Sequence, residues 1–277
     1  MTQKDTLIRF LLPEARARGA IIRGKHIIAE ANAIHGLQGE PALLFGQTLL
    51  ASIMLLSISK GGVRQVLQLD ASDENTPIKR MQAESKSGAV RGYVQWRDGA
   101  HPTVEGEGIT ALMGENILLS TVRDLGVGQP YVSTVQHDSA WLADHMLEYL
   151  RQSVQVQADM LLVGDLAMMV EAMPGCDDTH WFKAVEAMAK VSNQALEHGE
   201  PEDILKVFAD LGCQIVGQDV YHYACSCSKE SMKQALAGIA EEDLHELADE
   251  AGDVTLSCQY CNNHVKVNIG TDEDTCD

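Results

Sequence analysis

The sequence predicts an α+β protein in three parts: an N-terminal mixed α/β core domain over residues 1–173, a helical linker over 174–217 and a small C-terminal module over 218–277. Three observations predict it. Strand-like and helix-like periods are interspersed up to Met173 without a βαβ rhythm, which disfavours a doubly wound sheet. Pro174-Gly175 followed by Asp177-Asp178 then punctuates the chain, and a helical period takes over. Beyond residue 224, four of the seven cysteines stand in two close pairs.

In the first part, 65–69 alternates and reads as a strand, and 88–96 as another, joined by a polar, turn-rich connection over 70–77. Residues 116–122 and 131–135 are further strands. Residues 142–150 have helical spacing, with Leu142, Met146, Leu147 and Leu150 on one side. Residues 160–163 and 167–173 read as buried strands. Residues 42–59 carry no charge, which touches the length of a membrane span. Gln47, Thr48, Ser52, Ser57 and Ser59 interrupt the stretch, so it reads as a helix buried in a core.

In the linker, Trp181, Phe182, Val185, Met188 and Ala189 keep a period near 3.6, and Gly199 ends the run. Pro201 opens a fresh helix with Glu202 and Asp203 at the positive end of its dipole. Its apolar face is Ile204, Leu205, Val207, Phe208 and Leu211, and Gly212 stops it. Neither helix buries its apolar face alone, so each must lie on something else. In the module, 221–227 reads as extended and 229–239 as a helix with Ser228 at its N-cap. An acidic helix follows over 241–251. Residues 254–257 and 264–267 alternate around a tight Cys-Gln-Tyr-Cys turn and form a hairpin.

Lys and Arg total 21 against 40 Asp and Glu, a net charge of −19. Such a chain repels phosphate backbones and anionic lipid, so no nucleic acid and no membrane is expected as partner. An odd cysteine count and an N-terminal apolar stretch cut short by Arg9 and Pro13 point to a reducing, cytoplasmic compartment. No Ser-His-Asp order, paired catalytic carboxylates, H-E-x-x-H or Walker-type loop is visible, so the chain does not read as an enzyme. The methionines crowding one region (Met160, Met168, Met169, Met173, Met188) read first as flexible core packing and second as a client groove.

The chemistry lies in Cys225-Ser226-Cys227 and Cys258-Gln259-Tyr260-Cys261. In an extended chain residues two apart share a side, so the first two sulfurs face one point. A two-residue spacer in a turn converges the second pair. Cys225, Cys227, Cys258 and Cys261 thus supply four soft ligands, the closed set that structural Zn²⁺ prefers, one ion per chain. His222 and His264 are substitute ligands in principle and read as surface histidines. Two roles stay open for the metal: a staple for a module too small to hold itself, or a switch thrown when the thiolates are oxidised. Cys213 reads as half-buried and inert, and Cys276 as part of a frayed acidic tail.

The run Tyr223-Ala224-Cys225-Ser226-Cys227-Ser228-Lys229-Glu230, with Cys258-Gln259-Tyr260-Cys261-Asn262-Asn263-His264, resembles the redox-regulated chaperones of the heat shock protein 33 family. Arg18-Gly19, the uncharged helix ending at Lys60, Gly88-Ala89-Val90-Arg91-Gly92-Tyr93 and Met173-Pro174-Gly175 look like further family landmarks. Tyr131-Val132-Ser133 and Ser153-Val154-Gln155 depart from the family pattern. The resemblance implies an ATP-independent holdase, inactive when reduced and zinc-bound. It implies activation by oxidation to disulfides, Cys225 with Cys227 and Cys258 with Cys261, with zinc release and unfolding of a metastable linker. The oxidised form, a homodimer, would hold unfolding client proteins. A static zinc-ribbon module and a thiol-disulfide oxidoreductase using the C-x-x-C are the alternatives.

Overall fold

The computed structural model describes residues 4–99, 108–236 and 238–268. Its elements, in order, begin with β1 (Asp5–Leu12), β2 (Ala17–Arg23), α1 (Lys25–His35), α2 (Gly39–Ile58), β3 (Arg64–Asp70), β4 (Ile78–Lys86) and β5 (Ala89–Trp96). Then come α3 (Gly108–Met113), β6 (Ile117–Asp124), β7 (Tyr131–His137), α4 (Leu142–Tyr149), β8 (Ala158–Val163) and β9 (Leu166–Ala172). After these lie α5 (Asp178–Met188), α6 (Asn193–His198), α7 (Pro201–Ile204), a 3₁₀ stretch Leu205–Leu211, and β10 (Gln214–Tyr223). The chain closes with α8 (Lys229–Leu236), α9 (Glu241–Leu247), β11 (Asp253–Ser257) and β12 (His264–Asn268). They form two compact units that divide after Ala224. Cys276 and the acidic tail from 271 lie outside the described residues.

The first unit is built on one ten-stranded sheet, ordered β7-β6-β3-β4-β5-β10-β1-β2-β9-β8. Every pairing is antiparallel except β5 with β10, which is parallel over two residue pairs, Ala89 with His222 and Val90 with Tyr223. That short ladder is the seam between two five-stranded halves. The α2 helix lies against β3, β4, β5 and β9. Its 20 residues are apolar and long enough to cross a membrane, yet 72% of the apolar window is buried. Gly92 lets the β5 backbone approach α2: a Cβ there would stand 2.8 Å from Phe45 and 2.9 Å from Leu49.

Across β1, β2 and β9 both faces of the sheet are covered. Leu7, Ala20, Ile22, Ala167 and Met169 face the α1–α2 side, while Ile8, Phe10, Ile21, Met168 and Val170 face the other. That other side is roofed by the segment from 178 to 211, through Ala184, Met188, Ile204, Phe208 and Leu211. Double burial is why 167–173 reads as a continuous apolar run rather than an alternating one. Met160, Met168, Met169 and Met188 are all buried, in keeping with core packing, whereas Met173, just past the end of β9, is exposed.

Several local expectations change in the structure. The helix expected from Trp181 to Gly199 is broken into α5 and α6, because Ser192 caps a new start by accepting from Ala195 N–H. The helix opened by Pro201 tightens to 3₁₀ after one turn and ends at Gly212, in the left-handed region at φ 67°. Residues 221–223, expected to open the C-terminal module, are instead the end of β10. Pairing with β1, from Asp5↔Tyr221 to Leu11↔Gln214, sets that strand's length.

The second unit has a small core. Leu236, Val254 and Val267 are buried, with Leu244, Ala248, Leu256 and Val265 packed on them. The hairpin of β11 and β12 pairs Asp253↔Asn268 through Ser257↔His264, as the alternation predicted.

Candidate metal and redox centre

Two short segments build the site. The first is the irregular stretch from Cys225 to Cys227, which follows the end of β10 and enters α8 at Ser228. Ser228 Oγ accepts from Ser231 N–H at 3.1 Å and Ser231 Oγ accepts from Ser228 N–H at 2.9 Å. This reciprocal cap fixes where the helix begins, and so where Cys227 points. The second segment is the turn between β11 and β12. Cys258 N–H donates to Asn263 C=O and Asn262 N–H to Cys258 C=O, at 2.9 and 2.8 Å. Asn262 takes φ 56°, a left-handed conformation that asparagine tolerates better than most residues.

The turn and the cap bring all four cysteine sulfurs within 4.8 Å of one another. Cys225 Sγ lies 3.6 Å from Cys258 Sγ, and Cys227 Sγ lies 3.4 Å from Cys261 Sγ. Four sulfurs at about 2.3 Å from one tetrahedral centre stand about 3.8 Å apart, so the spacing fits one ion. All four are half-buried free thiols.

Their protons are unequally held. Burial disfavours a charge at Cys225, but the Cys227 N–H and the thiols of Cys227, Cys258 and Cys261 outweigh it and bring its pKa below the ordinary value. Burial and the neighbouring thiols push Cys227 up. Cys261 is also raised, by burial first, with Cys258 and Cys225 adding to it. The Cys225 thiolate therefore forms readily while Cys227 and Cys261 resist, as expected when anions would share one small volume. A divalent cation at the centre is what lets all four ionise, which is the donor chemistry of zinc.

The sequence-level ligand set is thus brought together in full. The histidines are not part of it. His264 Nδ1 lies 2.7 Å from Ser257 Oγ on the hairpin, and His222 is half-buried in β10 of the first unit. Cys176 donates its S–H to Ala15 C=O at 3.4 Å, and burial raises both it and Cys213. The second cysteine pair sits in a hairpin turn, not at the helix start where a redox enzyme's attacking thiol is activated.

Sequence reading missed two constellations in the first unit. Tyr223 Oη donates to Gly92 C=O at 2.9 Å, accepts from Gly92 N–H at 3.3 Å, and lies 3.1 Å from His35 Nε2. It closes the seam where β10 stops pairing with β5, two residues before Cys225. Glu84, 2% exposed, sits on the opposite sheet face from α2 between Arg64 and Arg91, each 3.0 Å away. Nothing in the sequence of 78–86 shows that two arginines bury Glu84.

A mixed α/β domain of this topology and a unit carrying four clustered thiols define a class: a folded domain with a metal-capable cysteine module. The Hsp33 protein family model matches residues 5–268, and the chain belongs to that family. Among its relatives, proteins named 33 kDa chaperonin are 24% identical in Geobacter sulfurreducens (94% of this chain, 91% of that one) and 25% identical in Bacillus subtilis (93% of each). The crystal structure of the 33 kDa chaperonin, or heat shock protein 33 homolog, of Thermotoga maritima superposes with a TM-score of 0.75. It is 23% identical over 95% of this chain and 94% of that one.

Proposed function

We propose that this protein is a cytoplasmic, ATP-independent holdase chaperone switched by oxidation of its cysteine centre. The observation that carries the reading is the four-sulfur cluster in a unit with only three buried apolar side chains among its described residues. So small a core cannot order some fifty residues by itself, and a structural ion contributes roughly 10–16 kcal/mol to finger-sized modules. Cys225, Cys227, Cys258 and Cys261 would hold one Zn²⁺ as thiolates. When bound, the ion supplies cross-linking and charge neutralisation, not reaction chemistry.

The switch follows from the ligands. Two thiolates of a pair give two electrons to one peroxide, which takes two protons from solvent, forming a disulfide and two waters. Pairing Cys225 with Cys227 and Cys258 with Cys261 consumes all four donors, so the unit loses its grip on the ion and most of its stability. Residues 178–211, which precede the last strand of the client-binding and dimerising domain, serve as the metastable segment, and the switch module begins at Cys225. Their helices are short: α6 has six residues and α7 four. Such helices are unstable alone and depend on the packing of Met188, Ile204 and Phe208. Loosening them bares the apolar face of β1, β2 and β9 to unfolding client proteins, and the oxidised form associates as a homodimer.

The test is zinc content and suppression of a heat-labile client's aggregation, measured on one sample reduced and then peroxide-treated. One zinc per chain should leave as suppression appears, and Cys258→Ser should hold less zinc before oxidant. Zinc that stays bound under peroxide, or leaves with no gain in suppression, would return the metal to a static role.

A further inference from the structure

The strand β8 ends the ten-stranded sheet, opposite β7. It turns into β9 through Gly164-Asp165, with Val163 opposite Leu166. In an antiparallel hairpin of this kind residues 159, 161 and 163 direct N–H and C=O to β9, while 158, 160 and 162 direct theirs outward. Two of the outward groups are held by side chains. Asp159 accepts from Met160 N–H at 2.8 Å, and Gln47 Nε2 donates to Leu162 C=O at 3.3 Å. Both holders are single side-chain contacts that an incoming strand replaces with backbone bonds of the same kind.

Beside this edge runs a groove of about 450 Å³, between the start of α2, the start of α4 and β8. Leu43 and Trp141 stand on it, 38% and 60% exposed. Among the described residues, the charged side chains lining it are Glu40 and Asp144, both acidic. An apolar edge strand beside exposed apolar side chains is a pairing surface that proteins normally blunt with lysine or proline, and 158–163 contains neither.

We propose that the β8 edge and its groove take an extended apolar segment flanked by Lys or Arg, added as an eleventh strand. This rests on the client-holding reading and names the chemistry of the client. Backbone bonds to 158, 160 and 162 supply sequence-independent affinity, and apolar side chains of the segment lie on Leu43 and Trp141. Glu40 and Asp144 select the flanking charge. A second copy of the chain is the competing occupant. It brings its own carboxylates to the same rim in a molecule of net charge −19, so like charge disfavours it where a cationic segment is favoured.

The experiment uses the full chain, oxidised, titrated with two peptides of five alternating valine and leucine residues, one flanked by lysines and one by glutamates. Trp141 emission reads binding, with Trp141→Phe as the control for the other tryptophans. The lysine-flanked peptide should bind about tenfold tighter, and Glu40→Lys should erase or reverse the preference. Leu43→Glu should weaken both peptides, and both sites are exposed enough to leave the fold intact. Equal affinity for the two peptides, or affinities that neither substitution moves, would overturn the proposal. So would a sedimenting dimer that Leu43→Glu dissociates while no peptide binds. If the wild-type oxidised protein suppresses client aggregation and Leu43→Glu does so equally, the groove assignment fails and the chaperone reading stands. If the wild type suppresses none, the chaperone reading fails, and the peptide titration alone decides the groove.

Discussion

His145 is fully buried, and its Nε2 lies 2.9 Å from the C=O of Ser139. A carbonyl only accepts, so the proton sits on Nε2 and Nδ1 is a bare lone pair. Nδ1 is buried with no hydrogen-bond partner. Protonation would therefore place both a charge and an unsatisfied N–H inside the domain. Burial lowers the imidazole pKa below its ordinary 6.5; the Ser139 carbonyl, Asp144 and Asp138 oppose that, and His137 adds to it. Because the folded pKa is the lower one, the stabilisation is fully present above about 6.5 and is lost as pH falls toward the folded value. Asp5, Asp159 and Glu171, whose carboxyls burial pushes up, act in the opposite sense. The comparison is therefore made with His145→Gln, which leaves them untouched. Melting of the reduced protein should fall by a few degrees between pH 7.5 and 5.5 in the wild type and by less in H145Q. An equal fall in both would show that His145 is not the titrating group. Nothing in the sequence marks this histidine, since its burial comes from α4 lying against β8 and β7.

At the scale of elements, what was legible depended on whether one face or two were buried. The β3 strand alternates because one of its faces is covered, and β11 with β12 alternates for the same reason. The β9 strand was legible only as an apolar run, since α1–α2 and the 178–211 segment cover it from both sides. The α2 helix was legible from its missing charges. The length of β10 and the seam at Tyr223 were not, because both are fixed by partners more than a hundred residues away. The site itself was legible because two-residue and one-residue spacers converge sulfurs locally. The roof over β1, β2 and β9 yields the element-scale prediction. Phe208 is fully buried and stacks on Phe10 with ring centroids 5.5 Å apart. Removing a buried phenylalanine side chain costs about 3–5 kcal/mol, a large share of what holds helices as short as α6 and α7. Phe208→Ala should make residues 178–211 protease-sensitive in the reduced protein and give client suppression without oxidant. If the segment loosens and suppression still waits for peroxide, the bared sheet face is not the holding surface.

For the whole molecule, the two units differ in what keeps them folded. The first has two extensive apolar clusters on either side of one sheet. The second has three buried apolar side chains among its described residues, and the stretch from 225 to 277 carries twelve Asp and Glu against three Lys and Arg. Self-repulsion of that density opposes compaction, and so few apolar groups cannot offset the ordering of the chain. Such a segment folds only while something else ties it together, and when released it stays solvated rather than collapsing. An ion bound to the folded unit alone stabilises that unit by mass action, so its removal should act there and nowhere else. Chelation of divalent metal in reducing buffer is therefore expected to abolish amide-exchange protection across 225–268 while the strands of the first unit keep theirs. Peroxide should produce the same loss in 225–268 and, in addition, loosen 178–211. If chelation alone also loosens 178–211 and gives client suppression, the metal and not the disulfides is the switch. If 225–268 keeps its protection without metal, the small core suffices and oxidation must act on the first unit by another route.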